Sequence, residues 1–300
     1  MLNANEMSFG VEIETCMPIG SVTVGGYHRG IQIPGLPLGW LATSDTSICS
    51  PTGYTGCEVV SPILKGIAGF EQVKRVCEWL ATIGAKVNSS TGLHVHIGWA
   101  GDCGALTRLT CDVANFEIAL FASTGTHSRE RNGMCKGVRS SHELTTIFKD
   151  GKGQRSSRAS DRYHTLNVTN LGTNKNTVEF RCFAGTTNLV KITAYIRLCL
   201  GIVQRAVNAK RPANWNGVKV NAARAIYKGK GVGGVELTRL LFAMGWIKGD
   251  IKNVFGDVQA EGLPTLDDCK KELFRLAAKY DGLTAAVSSA AHDDDVMGNG

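Results

Sequence analysis

Three short stretches of this chain alternate apolar residues with side chains of metal-binding type. They are Phe9-Gly-Val-Glu-Ile-Glu14, Gly92-Leu-His-Val-His-Ile-Gly98 and Val178-Glu-Phe-Arg-Cys-Phe183. On a β-strand, side chains two residues apart point to the same face. Glu12 and Glu14 therefore oppose Phe9, Val11 and Ile13, while His94 and His96 oppose Leu93, Val95 and Ile97. Glu179 and Arg181 likewise oppose Val178, Phe180 and Cys182. A sheet joining these polar faces would form a concave wall of carboxylate, imidazole and guanidinium over an apolar core. Such a wall suits divalent cations and phosphate.

Each motif also has a plainer explanation. Two carboxylates on one strand face repel each other and raise a pKa unless a cation lies between them, and hard oxygen ligands suit Mg²⁺ or Mn²⁺. A strand with one solvated face would look the same. His-x-His is a metal or phosphate motif, or a pair of satisfied histidines. Glu179 and Arg181 could neutralise each other as a surface pair worth under about 1 kcal/mol. Together the motifs complement one another, with carboxylates and one imidazole for cations and arginine with the second imidazole for phosphate.

The intervening sequence predicts an α+β fold, a mainly antiparallel curved sheet with helices on its outer face. Strands are expected over 7–17, 40–47, 58–64, 91–99, 163–169 and 177–184, the last two forming a hairpin. Helical spacing appears over 70–83, ending at Gly84, and again over 106–122, 192–207, 235–246 and 266–280. Domain boundaries are expected at 1–210 for the main body, 211–290 for a helical extension and 291–300 for a flexible tail. Residues 127–162 are poor in apolar side chains and rich in Arg and Lys, which predicts a mobile basic excursion.

Three hundred residues at 43% hydrophobic content can bury a substantial core. A formal net charge of +7 allows an anionic substrate but is too weak to imply nucleic acid. Ten cysteines occur with no Cys-x-x-Cys spacing, and the N-terminus lacks a basic, then apolar, leader. Free thiols in a reducing, cytoplasmic setting are expected. The longest apolar run, 192–203, is interrupted by Arg197 and is too short to span a bilayer.

Four motifs in order carry a family resemblance. Gly10-Val-Glu-Ile-Glu14; Asp45-Thr-Ser47 followed by Glu58-Val-Val-Ser-Pro-Ile63; Thr91-Gly-Leu-His-Val-His-Ile-Gly98; and Arg162-Tyr-His-Thr-Leu-Asn167 leading to Val178-Glu-Phe-Arg181 resemble the amidoligase family. That family belongs to the superfamily of glutamine synthetase and glutamate–cysteine ligase. The resemblance covers about residues 8–200. It implies a glutamine-synthetase-like bowl that binds ATP and Mg²⁺, with Mn²⁺ as a substitute. By position, Glu14 and Glu58 resemble ligands of a cation near the substrate, and Glu12, His94 and Glu179 ligands of a cation at the ATP phosphates. His96 resembles a phosphate-contacting histidine. Arg181 and Arg162 resemble arginines that stabilise the transferring phosphoryl group, and Asn188 a downstream nucleotide-site asparagine. Asp45 and Ser47 fall in a motif expected near the substrate or behind the metal ligands.

The implied reaction is ATP-dependent joining of a carboxylate and an amine through an acyl phosphate, on an amino acid, peptide or protein-borne group. Two alternatives stay open at this level. One is a metal-dependent hydrolase or nuclease using the same Glu/His cluster. The other is a non-catalytic protein binding nucleic acid through residues 127–162, although aromatic residues for base stacking are sparse there.

Overall fold

The alternation over the first motif becomes strand β1 (Ser8–Pro18), the centre of the sheet. The computed structural model describes residues 3–27, 29–140, 162–210, 231–247 and 260–296. Around β1 lie β2 (Leu41–Ser44), β3 (Tyr54–Val60), β4 (Leu64–Lys65), β5 (Gly92–Gly98), β6 (Leu166–Asn167) and β7 (Thr177–Ala184). The sheet order is β2-β3-β1-β5-β7-β6, with β4 against the start of β1, and every strand pair is antiparallel. The expected α+β class with an antiparallel sheet is what forms.

Strand register sets a polar row across this sheet. Glu58 pairs with Glu14, Glu12 with His94, His96 with Glu179, and Glu179 with Asn167. The period of two then puts the apolar partners on the opposite face, where Phe9, Val11, Ile13, Leu93, Val95, Ile97, Val178 and Phe180 are all buried. Between Leu93 and Val95 the β5–β7 register slips, so that β7 carries one extra residue around Arg181 and Cys182.

Helices cover the apolar face. Helix α1 (Gly66–Thr82) buries Phe70, Val73, Val76, Cys77 and Leu80 on one stripe, and its Phe70 ring lies 5.1 Å from Phe9. Its end is set by Gly84, whose φ of 73° suits a residue without Cβ while Ala85 N–H returns to Leu80 O at 2.9 Å. Helix α4 (Leu189–Asn208) stacks Tyr195 on Phe183 with ring centroids 4.3 Å apart. A fully buried side chain of this size contributes about 1.5–3 kcal/mol.

The predicted single helix over 106–122 is two, α2 (Cys103–Asn115) and α3 (Glu117–Ala122). The break falls at Phe116, whose φ/ψ of −112°/17° leaves the helical range while its ring stays buried in the core. Beyond residue 230, α5 (Val232–Ala243) and α6 (Leu266–Val296) pack on α3 and α4. Asp281 joins them by accepting from Gly233 N–H at 2.8 Å and Gly234 N–H at 3.0 Å, at the start of α5. Helix α6 extends past the predicted end at residue 280, into the segment expected as a tail; residues 297–300 lie outside the described residues.

The basic excursion divides in two. Residues 141–161 lie outside the described residues. Residues 127–140 do not form the mobile excursion expected of them. They pack onto the body, with Arg129, Cys135 and Val138 buried. Lys136 N–H donates to Tyr163 O at 2.9 Å and Thr165 N–H to Lys136 O at 2.8 Å, continuing the sheet past β6.

Candidate functional site

Glu58, Glu14, Glu12 and His94 of the polar row form the floor of a cavity of about 330 Å³ that Arg129 and Arg181 also line, while Glu179, His96 and Asn167 lie outside its lining. This face is not solvated: Glu14 is 8% exposed, and His94 and Glu179 are each 3% exposed. Glu179 and Arg181 therefore do not form the surface pair that was one option for their motif.

His94 is the hub. Its Nδ1 lies 3.1 Å from Glu12 Oε2 and 3.6 Å from Glu179 Oε1, and its Nε2 lies 3.4 Å from Glu14 Oε1. His96 Nε2 stands 3.1 Å from Glu12 Oε1 but out of line for a hydrogen bond, while Nδ1 is 3.4 Å from Thr177 Oγ1. Glu179 is held from three sides. Arg181 Nη1 meets Oε1 at 2.5 Å, Asn167 Nδ2 donates to Oε2 at 2.6 Å, and His94 approaches Oε1. Glu14 Oε2 accepts from Gly92 N–H at 2.6 Å, which fixes the second carboxylate of the first motif.

The electrostatics divide these acids. Burial pushes Glu12 up, but His94 and His96 outweigh it and hold the carboxyl well below its ordinary value. Glu179 is similarly raised by burial and then drawn below its ordinary value by His96, His94 and Arg181. Glu58 goes the other way. Burial, then the charges of Glu12, Glu14 and Asp45, push it to about 9. For His96, burial favours the neutral ring, yet Glu12 and Glu179 prevail and raise its pKa.

Two trios of ligand atoms converge: Glu12, His94 and Glu179, and Glu14, Glu58 and His94, with the atoms of each trio within 4.8 Å of one another. Carboxylate oxygens with one imidazole form a hard donor set, and no cysteine lines the cavity. The Nε2 atoms of both His94 and His96 are buried without a hydrogen-bond partner. Buried polar groups are ordinarily paired, so these features fit divalent cations on the carboxylate floor.

The remaining sequence-derived positions divide between the cavity and elsewhere. Asp45, Ser47 and Arg162 line the cavity. Asp45 Oδ1 accepts from Ser47 N–H at 2.8 Å, so this pair forms a rigid turn at the wall. Asn188 is not in the cavity lining. It caps α4, its side chain accepting from Lys191 N–H at 3.1 Å, and this accounts for an asparagine at that position.

Several lining residues had no role in the sequence reading. Tyr163 lies under two guanidinium groups, with Arg162 and Arg181 at 5.3 and 5.9 Å from its ring centroid. Lys175, on the β6–β7 turn, lines this cavity and a second one of about 290 Å³. The second cavity adjoins at Glu12 and His96 and is walled by Val11, Val60, Pro62 and Ile63. Alternation could have flagged Asn167, two residues from Thr165 on an expected strand; nothing local marked Arg129.

Comparison with known proteins gives three findings. Residues 36–203 match a family described as "Putative amidoligase enzyme". The matched stretch begins after β1, although β1 supplies Glu12 and Glu14 to the cavity. No curated protein matches this chain. Among solved structures, the crystal structure of a bifunctional glutathione synthetase from Pasteurella multocida is similar at a TM-score of 0.44 and 12% identity, over 96% of this chain and 50% of that one. This chain thus spans half the length of that structure.

Proposed function

This chain belongs to the putative amidoligase family, and on that premise we propose that it joins a carboxylate to an amine at the expense of ATP. The observation that carries this reading is the pair of ligand trios sharing His94, at the floor of a cavity that Arg181 and Arg162 also line. Amide formation from a free carboxylate requires its oxygen to become a leaving group. Transfer of the terminal phosphoryl of ATP to that oxygen does so, and the amine then displaces phosphate at the carbonyl carbon.

Such a reaction depends mainly on positioning and electrostatics and needs no side-chain nucleophile. Glu12, His94 and Glu179 would hold one cation and Glu14 and Glu58, with His94, another. Mg²⁺ or Mn²⁺ held there would offset phosphate charge and polarise the transferring group. Arg181 is fixed by Glu179 and by the β7 bulge, so its guanidinium faces the transfer without a reorganisation cost. Arg162 and Lys175, both exposed at the rim, can close on phosphate oxygens. The second, more apolar cavity would take the nucleotide base, where His96 and Lys175 would be available to its phosphate oxygens.

The test is an ADP-release screen over pooled carboxylates and amines, followed by mass measurement of the adduct. ADP release requiring both components supports the ligase. Metal-dependent cleavage without nucleotide would point instead to a hydrolase using the same acids. Glu179→Ala should abolish amine-dependent turnover; a variant keeping most of it would remove Glu179 from the machinery.

A further inference from the structure

Lys175 holds a place that no other cation of the site shares. Among the described residues only Glu12 and Lys175 line both cavities, so the two meet at a carboxylate and an ammonium. Arg129, Arg162 and Arg181 line the larger cavity alone. Yet Lys175 is exposed, on the turn between β6 and β7, and a lysine on a free turn spreads over many rotamers in water.

This turn is not free, and Asn176 fixes it. Asn176 is the one non-glycine residue among the described residues with a left-handed backbone, at φ 40°. Glycine adopts that conformation readily, and asparagine is one of the few other residues that tolerate it. What asparagine adds is a side chain that ties both sides of the turn. Its Nδ2 donates to Trp99 O at 3.0 Å, and its Oδ1 accepts from Gly172 N–H at 3.2 Å. Trp99 N–H donates to Asn176 O at 3.0 Å, so main chain and side chain both hold to the residue just beyond β5. Trp99 is itself packed against the core. Within the turn, Thr173 Oγ1 accepts from Lys175 N–H at 3.2 Å and donates to Asn170 O at 2.7 Å. A glycine at position 176 would reverse the chain equally well and leave the turn free to swing.

We infer that Asn176 is a positioning residue, whose clamp on Trp99 holds Lys175 at the junction of the two cavities, where the ammonium meets the phosphate chain of the nucleotide. This rests on the ligase reading, in which phosphates reach from the second cavity to the cations on the floor of the first. An ammonium is a point charge on a long flexible stem. Less freedom is lost on binding an anion where the backbone beneath that stem is already fixed.

Calorimetry of the full chain with ADP and with tripolyphosphate, each in Mg²⁺, tests this without requiring turnover, using Lys175→Met, Asn176→Gly and the double variant. Lys175→Met should weaken ADP binding about tenfold, and Asn176→Gly about threefold. In the Lys175→Met background, Asn176→Gly should change affinity by less than about twofold, because the asparagine acts only through the lysine. A turn that mattered for folding alone would lower affinity by the same factor in both backgrounds. Such additivity overturns the proposal and, with ADP still bound, leaves the ligase reading standing. Unchanged affinity in either single variant, or binding of neither anion, overturns it as well. Melting curves report folding; should Asn176→Gly not fold, Thr173→Val, which removes the acceptor for Lys175 N–H, replaces it in the cycle. Non-additivity with tripolyphosphate while ADP fails to bind supports the clamp and counts against the nucleotide reading.

Discussion

Asn167 Nδ2 donates to Glu179 Oε2 at 2.6 Å, which leaves the other oxygen of that carboxylate to face His94 and Arg181. The bond follows from sheet register, since Asn167 and Glu179 are direct partners in the β6–β7 pair. An amide in this place orients the carboxylate without adding charge. Groups behind a metal ligand commonly matter to affinity by about 10–100-fold. Asn167→Ala should weaken Mg²⁺ binding by a factor in that range while leaving the fold intact, read by calorimetry beside a melting curve. Unchanged affinity would show that Glu179 is oriented well enough by Arg181 alone.

Glu58 offers a test through pH. Burial, followed by the charges of Glu12, Glu14 and Asp45, raises its pKa to about 9, against an ordinary glutamate in the unfolded chain. The folded protein without cations therefore binds more protons than the unfolded chain across that interval. Stability carried by this proton is present below the unfolded pKa and is lost as pH rises toward 9. A cation competes for the same carboxylate, so Mg²⁺ affinity should increase over pH 6 to 9, with proton release on binding. Titration in two buffers of different ionisation enthalpy measures that release. Glu58→Gln should flatten both the stability slope and the proton release; an unchanged slope in the variant would assign it to other groups.

Much of this arrangement was legible because a sheet converts sequence spacing directly into geometry. Alternation alone put Glu12 with Glu14, His94 with His96, and Glu179 with Arg181, and the antiparallel register then carried them into one row. What alternation does not encode is which face is buried. A solvated Glu-x-Glu strand and a cavity floor have the same pattern, and only the packing of residues 127–140 and Tyr163 over the floor distinguishes them. Arg129 was hidden for a related reason. It stands in a segment whose composition resembles a solvated loop, yet the chain lies against the sheet through backbone bonds at Lys136, which side-chain type does not reveal. Asn188 misled in the opposite sense, since its residue type fits a ligand-binding position and equally the start of a helix. The break at Phe116 and the length of α6 also depend on tertiary contacts that periodicity does not report.

The segment carrying Arg129 is fastened to the far side of the molecule, and this link should be separable from the chemistry. His127 stacks on Tyr280 of α6 with ring centroids 3.9 Å apart, and its Nδ1 lies 2.8 Å from Glu130 Oε2. Tyr280 O–H donates to the same Glu130 oxygen at 2.8 Å. The contact ties the C-terminal helix to the turn that delivers Arg129 to the cavity. A hydrogen bond to a charged acceptor contributes about 1.5–3 kcal/mol, and here Glu130 is partly hydrated, which puts the effect toward the lower end. Tyr280→Phe keeps the ring stack and removes only the hydroxyl. It should destabilise the protein by about 1.5 kcal/mol in urea unfolding, with Mg²⁺ affinity unchanged because no ligand trio includes these residues. Hydrogen exchange should quicken over residues 127–135 more than over β1 or β5. Equal exchange across the chain would mean that the sheet-side bonds at Lys136 hold this segment without help from α6.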